Sequence, residues 1–135
     1  MVYRLHRAYR AARAKHPQTV VVDHAPEWKL QAAIAAEFER LGVCFAAGLE
    51  GVRLTARQRV LAKATGMQAG EPDLRVYLPG GRLVLIELKS ATGSLRPEQK
   101  ERHARLRALG FEVHVLKAKT EAEAVAGALK LIGLA

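Results

Sequence analysis

The chain has 135 residues, half of them apolar and 26% charged, with a net charge of +9; this is enough for one domain with its own core, and the positive excess favours a polyanionic partner, nucleic acid before an anionic membrane. A single cysteine, Cys44, excludes an internal disulfide and a Cys/His metal cluster and fits a reducing cytoplasm. No apolar run reaches the length of a membrane span, and arginines break the N-terminus too often for a signal peptide.

Residues 1–16 carry Arg4, Arg7, Arg10, Arg13 and Lys15 between Tyr3, Leu5, Ala8, Tyr9 and Ala12. This predicts a short basic helix ending before Pro17, either a solvated face or an arm that neutralises phosphates. Val20, Val21 and Val22 form a short strand or a packed extended segment. The first long helix starts near Pro26, with Asp23 or His24 as nearby caps, and Gly42 stops it. Leu30, Ile34, Phe38 and Leu41 recur at helical spacing. Glu27 and Gln31 stand near the N-terminal end of that stripe. A carboxylate aligned with a core-facing stripe is costly unless paired or bound to a cation, although acids are also favoured in a first turn.

Val43 to Gly48 reads as a strand. Leu49 to Ala69 is a connecting section with a helix over about Thr55 to Ala64, anchored by Leu54, Val60 and Leu61. Arg53, Arg57, Arg59 and Lys63 either contact phosphate or form a charged exposed face. The next stretch is a hairpin: Asp73 to Leu78, a Pro79-Gly80-Gly81 turn, then Arg82 to Lys89. Side chains alternate along a strand, so Leu83, Leu85, Glu87 and Lys89 share one face, and Val84, Ile86 and Leu88 the other. Apolar residues on both faces predict a strand buried on both sides. Pairing about the turn puts Asp73 near the level of Glu87 or Lys89.

Two carboxylates held close repel, and one pKa must rise unless a cation intervenes. Asp and Glu oxygens are what Mg²⁺ prefers. A neighbouring Lys can orient or help deprotonate a water on the ion and steady a developing phosphate anion. The spacing suits metal-assisted hydrolysis of a phosphodiester. Taken alone, Glu87-Leu88-Lys89 reads more plainly as a surface salt bridge, with Asp73 as a strand-entry residue. The Pro-Asp opening, the tight turn and the acid-x-Lys ending occur together, and that combination favours chemistry.

Further on, Pro97 starts a helix running to about Leu109, with Gln99, His103 and Leu106 on one face. Arg96 is a poor cap, so Ser94 caps or Arg96 meets DNA. His103 is the one histidine near the predicted site, although a structural or surface role is the commoner one. Phe111 to Leu116 alternates as a last core strand. Thr120 and Glu123 suit a capping box for a final helix to about Leu134 that buries Val125, Ala128, Leu129 and Ile132. There is no phosphate-binding Gly-rich loop with Lys and no Gly-x-Ser-x-Gly elbow. Aromatic residues make up only 5% of the chain, which argues against a base-stacking platform.

Pro72-Asp73 followed by Glu87-Leu88-Lys89 resembles the PD-(D/E)XK nuclease signature. Gly70, the stretch Gly93-Ser94-Leu95-Arg96-Pro97-Glu98-Gln99, and Gly110-Phe111-Glu112-Val113-His114-Val115 narrow the resemblance to its VRR-NUC branch, in the small stand-alone bacterial or phage form. The likeness runs from about Glu27 to about Ala128. It implies an α/β fold, a mixed β-sheet flanked by helices with the hairpin central. The expected division is a basic extension over 1–22, a nuclease core over 23–118 and a C-terminal helix over 119–135.

The resemblance also implies a Mg²⁺- or Mn²⁺-dependent endonuclease acting on DNA. Asp73, Glu87, the Leu88 carbonyl and Glu27 would be the metal ligands, with Lys89 positioning the attacking water. Gln99 would line the site, and Gln31 would orient a water or Glu27. Arg53, Arg57, Arg59, Lys63 and Arg96 are the candidate DNA contacts. Many relatives carry a hydroxyl residue where Arg96 stands. Relatives of this type suggest branched or Holliday-junction DNA cut by a homodimer. The alternatives are an inactive nucleic-acid-binding module, and a repair or restriction nuclease acting on duplex or flap DNA.

Overall fold

The computed structural model describes residues 25–48 and 53–134. The expected basic helix, the Val20–Val22 segment and the caps Asp23 and His24 lie outside these residues. Helix α1 spans Glu27–Leu41, with Pro26 in extended conformation as its N-cap and Gly42 at φ 71° as its C-cap. Strand β1 spans Cys44–Ala47, and α2 spans Ala56–Ala64. The hairpin is β2, Leu74–Leu78, a 3₁₀ turn over Pro79–Gly81, and β3, Arg82–Ser90. Helix α3, Pro97–Ala108, crosses over to β4, Glu112–Ala118, and α4 covers Glu121–Leu131.

The four strands form one mixed sheet in the order β1-β2-β3-β4. β2 pairs antiparallel with β1 and β3, while β3 and β4 run parallel because a helix connects them. The hairpin is central, as the family resemblance implies. Leu30, Ile34 and Phe38 of α1, with Ala124, Ala128 and Ile132 on and after α4, pack on Leu74, Val76, Val84, Ile86 and Leu88. The opposite face carries a smaller cluster of Leu83, Leu85, Leu106 and Val113, beneath α3. β3 is thus covered on both faces, and its residues 84 to 89 are all buried.

Two local expectations change. Helix α2 buries none of its residues. Val60 and Leu61 are exposed at 70% and 57%, so they are not anchors; the helix stands off the sheet on its own capping box, in which Thr55 Oγ1 accepts from the Gln58 N–H and Gln58 Oε1 accepts from the Thr55 N–H. For α3 the N-cap residue is Arg96, not Ser94, and the capping group comes from inside the helix: the Arg96 N–H donates to Gln99 Oε1 at 2.9 Å. At α4, Thr120 Oγ1 accepts from the Glu123 N–H, but Glu123 accepts from Lys119 rather than from Thr120. Among the described residues no helix is long and apolar enough to cross a membrane.

Candidate active site

The register pairs Leu74 with Ile86, which carries Asp73, just before β2, to the level of Glu87. The Leu88 N–H donates to Asp73 Oδ2 at 2.7 Å. A residue's N–H and C=O leave an extended strand on the same side, so the Leu88 carbonyl is turned toward Asp73 as well. The loop before Asp73 is held at two points by α3. Gly70 adopts φ 77°, and a Cβ there would lie 2.3 Å from the Glu98 carbonyl oxygen; only glycine lets this loop touch the start of α3. Glu71 Oε2 accepts from Arg102 Nε of α3 at 2.7 Å.

Glu87 is 1% exposed. Gln99 Nε2 donates to its Oε1 at 2.7 Å. Because Gln99 Oε1 is engaged by the Arg96 N–H, the amide can present only its NH₂ to the carboxylate. Lys89, also buried, places Nζ 3.6 Å from Glu87 Oε1 and 3.8 Å from Glu27 Oε1. Glu87 Oε2 has no hydrogen-bond partner, nor has either ring nitrogen of the fully buried His103. His103 Nε2 and Glu87 Oε2 are 3.7 Å apart.

Electrostatics follow from this packing. Burial, then the charge of Asp73, pushes the Glu87 carboxyl up to about 8, against the opposing effect of Lys89. Burial and then the charge of Arg107 hold His103 below the ordinary imidazole range, so it faces Glu87 as a neutral ring. The nearest cation does not offset the cost of placing Glu87 beside Asp73.

This arrangement fits a divalent cation of the Mg²⁺ type. A buried carboxylate oxygen lacks a partner, a second carboxylate stands at its level, and a strand carbonyl is turned the same way. Among the described residues no group of three or more His, Cys, Asp or Glu side chains gathers as a metal cluster. Two carboxylates and a carbonyl suit an ion that keeps several waters, rather than one that needs a closed protein cage. Glu27 stands farther out than Asp73, though its charge also raises Glu87. It leaves the first turn of α1 at the rim, its side chain 45% exposed, and faces Lys89.

A cavity of about 1070 Å³ opens over these groups. Asp73, Glu87, Glu27, Gln31 and Gln99 line it, and Arg59, Lys63 and Arg96 bring positive charge to its walls. Arg53 and Arg57 are not among its lining residues; Arg57 lies on α2 two residues from Arg59, and residues two apart on a helix do not share a face. Sequence reasoning missed Glu71, Arg102 and Trp28. Glu71 adjoins Pro72-Asp73 and was discoverable by position. Arg102 was not, because nothing local distinguishes it from the other arginines of α3.

A sequence model of the VRR-NUC domain matches residues 4–120. The phage protein "Putative nuclease p44" of Acyrthosiphon pisum secondary endosymbiont phage 1 is 45% identical over 47 residues, which are 35% of this chain and 50% of that protein. The match therefore spans about half the length of that relative. A solved "VRR_NUC domain" structure superposes with a TM-score of 0.54 at 26% identity, over 81% of this chain and 97% of its own. A second, a "VRR_NUC domain protein", gives 0.61 at 22% identity over 83% and 92%, a likeness of fold.

Proposed function

The chain belongs to the VRR-NUC nuclease family, and we propose that it is a metal-dependent endonuclease that hydrolyses phosphodiester bonds in DNA, with a preference for branched or Holliday-junction substrates cut by a homodimer. The observation that carries this reading is Glu87: a buried carboxylate with one oxygen unpartnered, placed level with Asp73, and pushed up to about 8 by burial and then by the charge of Asp73.

In this reading Asp73, Glu87 and the Leu88 carbonyl hold Mg²⁺ or Mn²⁺. The bound ion supplies Lewis-acid polarisation of the phosphoryl group and makes water a better nucleophile near neutral pH. Lys89, set between Glu87 and Glu27, orients the attacking water and stabilises the negative charge that grows on the phosphorus oxygens. Gln99 holds Glu87 in one rotamer, and its own orientation is fixed by the Arg96 N–H. Arg59, Lys63 and Arg96 bind the flanking phosphates. Two symmetric strands of a junction need two such sites, hence two copies of the chain.

The test compares a four-way junction, a flap and a linear duplex at fixed salt, with Mg²⁺, Mn²⁺ or EDTA. The expected result is metal-dependent cutting, strongest on the junction and absent in EDTA. Faster cutting of the flap or the duplex would reassign the substrate. Binding without cutting under every metal condition would leave a nucleic-acid-binding module.

A further inference from the structure

Trp28 is 57% exposed. It lies one residue after Glu27, on the same helix, and lines the same cavity as Asp73 and Glu87. The buried stripe of α1 runs through Leu30, Ile34 and Phe38, and Trp28 lies off it. Trp28 and Gln31 are three residues apart and so share a helix face; both line the cavity, together with the apolar side chains of Leu54 and Met67. On α2, Arg59 and Lys63 are four apart, also on one face, and line it too. Lys29 places its ammonium 5.7 Å from the centroid of the Trp28 ring.

The cavity is larger than a metal ion and one phosphodiester require. Pockets of roughly 300–1,000 Å³ hold whole drug-sized ligands, so about 1070 Å³ has room for a sugar and a base beside the phosphate. An indole in the wall of a cavity that also holds Arg59, Lys63 and Arg96 beside its carboxylates matches what a single-stranded nucleotide offers: a flat π-face with a negative charge next to it. A base inside a duplex cannot present that face without leaving its stack.

We propose that Trp28 is a stacking subsite for an unpaired DNA base one nucleotide from the scissile phosphate. This rests on the nuclease reading above and adds to it that the nucleotide beside the cut is unpaired when bound, which a branch point provides by opening one base pair. The scarcity of aromatic residues does not oppose it, because one well-placed ring is enough for one base. Stacking of one base on an aromatic side chain is worth about a tenfold change in affinity.

Trp28 is the single tryptophan of the chain, so its emission reports this site alone. The full chain is titrated in EDTA, where no strand is cut, with an end-labelled single-stranded oligodeoxynucleotide and with the same sequence as a blunt duplex. Anisotropy of the label measures binding independently. We expect the single strand to quench Trp28 with the same midpoint as the anisotropy, and the duplex to bind with little quenching. Trp28→Ala should lower the ratio of single-strand to duplex affinity about tenfold, and Trp28→Phe should restore most of it. Binding without a change in Trp28 emission, an unchanged ratio in Trp28→Ala, no binding of either probe, or a free-protein emission typical of a buried indole would each overturn the proposal. Quenching that persists in a protein unable to cut any DNA would instead overturn the nuclease reading and leave Trp28 as a base-stacking site of a binding module.

Discussion

Strand β3 meets β4 with charge at both ends, and the ends are built in opposite ways. At the start, Arg82 forks onto Glu112 with contacts of 2.8 and 3.0 Å, and His114 Nε2 lies 3.0 Å from the same carboxylate. The Arg82 hydrogen bond, then the one from His114, hold Glu112 down to about 2. At the finish, Glu87 is buried against Asp73 and pushed up to about 8. One carboxylate has its cation, Arg82, in the protein; the other is buried beside a second carboxylate, with Lys89 3.6 Å away. A solvent-facing, satisfied pair adds little stability, whereas a strained, buried carboxylate costs stability and persists where it serves a site.

The largest expected effect breaks the β3 finish. Asp73→Ala, Glu87→Ala or Lys89→Ala should lower metal-dependent cleavage by about a hundredfold or more while DNA binding stays within a few fold; wild-type cutting by any variant would remove that residue from the mechanism. The next effect is on stability without metal. A carboxyl whose folded pKa is raised adds stability at acid pH, and that stability is lost as pH climbs from its ordinary value of 4.5 through about 8. Wild type should therefore lose stability relative to Glu87→Gln over that range by on the order of a few kcal/mol, and saturating Mg²⁺ should reverse the loss. Chemical denaturation at pH 5 and pH 9, with and without Mg²⁺, reads this directly, and parallel pH curves for the two proteins would contradict it.

Gln99→Leu sharpens the comparison by freeing Glu87 while leaving its carboxyl in place. Loss of a residue that orients a metal ligand typically costs about 10–100-fold in metal affinity, so the Mg²⁺ concentration for half-maximal cutting should rise by roughly that factor. An unchanged Mg²⁺ requirement would reduce Gln99 to a helix cap. The smallest effect belongs to the satisfied end. Arg82→Ala should cost about 0.5–1 kcal/mol and leave cleavage unchanged. Because the folded pKa of Glu112 is depressed, that contribution is present above about pH 4.5 and fades as pH falls toward 2. Thermal melts of the variant and wild type at pH 6 and pH 3 would show the gap closing.

Much of the site was legible because it depends on local periodicity. A two-residue alternation and a tight turn were enough to bring Asp73 near the level of Glu87 or Lys89, and the register of the hairpin selects Glu87. Spacings of four and three placed Gln99, His103 and Leu106 on one buried face of α3. The Arg82–Glu112 fork was not legible, because it joins residues 30 apart through the parallel register that sets Val84 beside Glu112. The exposure of Val60 and Leu61 was hidden for a similar reason: apolar spacing marks a face but does not say whether the helix reaches the sheet. Trp28 could have been noticed as a large aromatic off the stripe of α1, but its link to the carboxylates needs the cavity.

The sequence by itself determined the order of elements and a strand buried on both faces, since these follow from side-chain period and turn chemistry within a few tens of residues, while the central place of the hairpin and the choice of Asp73, Glu87 and Lys89 as candidates rested on the family resemblance. Tertiary packing alone decided how they are charged and who supports them. Glu87 is driven up because α3 and the sheet exclude water from it, Glu27 faces Lys89 because α1 starts at the rim, and Gln99 holds one orientation because it also caps its own helix. Desolvation and hydrogen-bond partners are properties of the assembled layers, and no stretch of chain carries them before the layers meet.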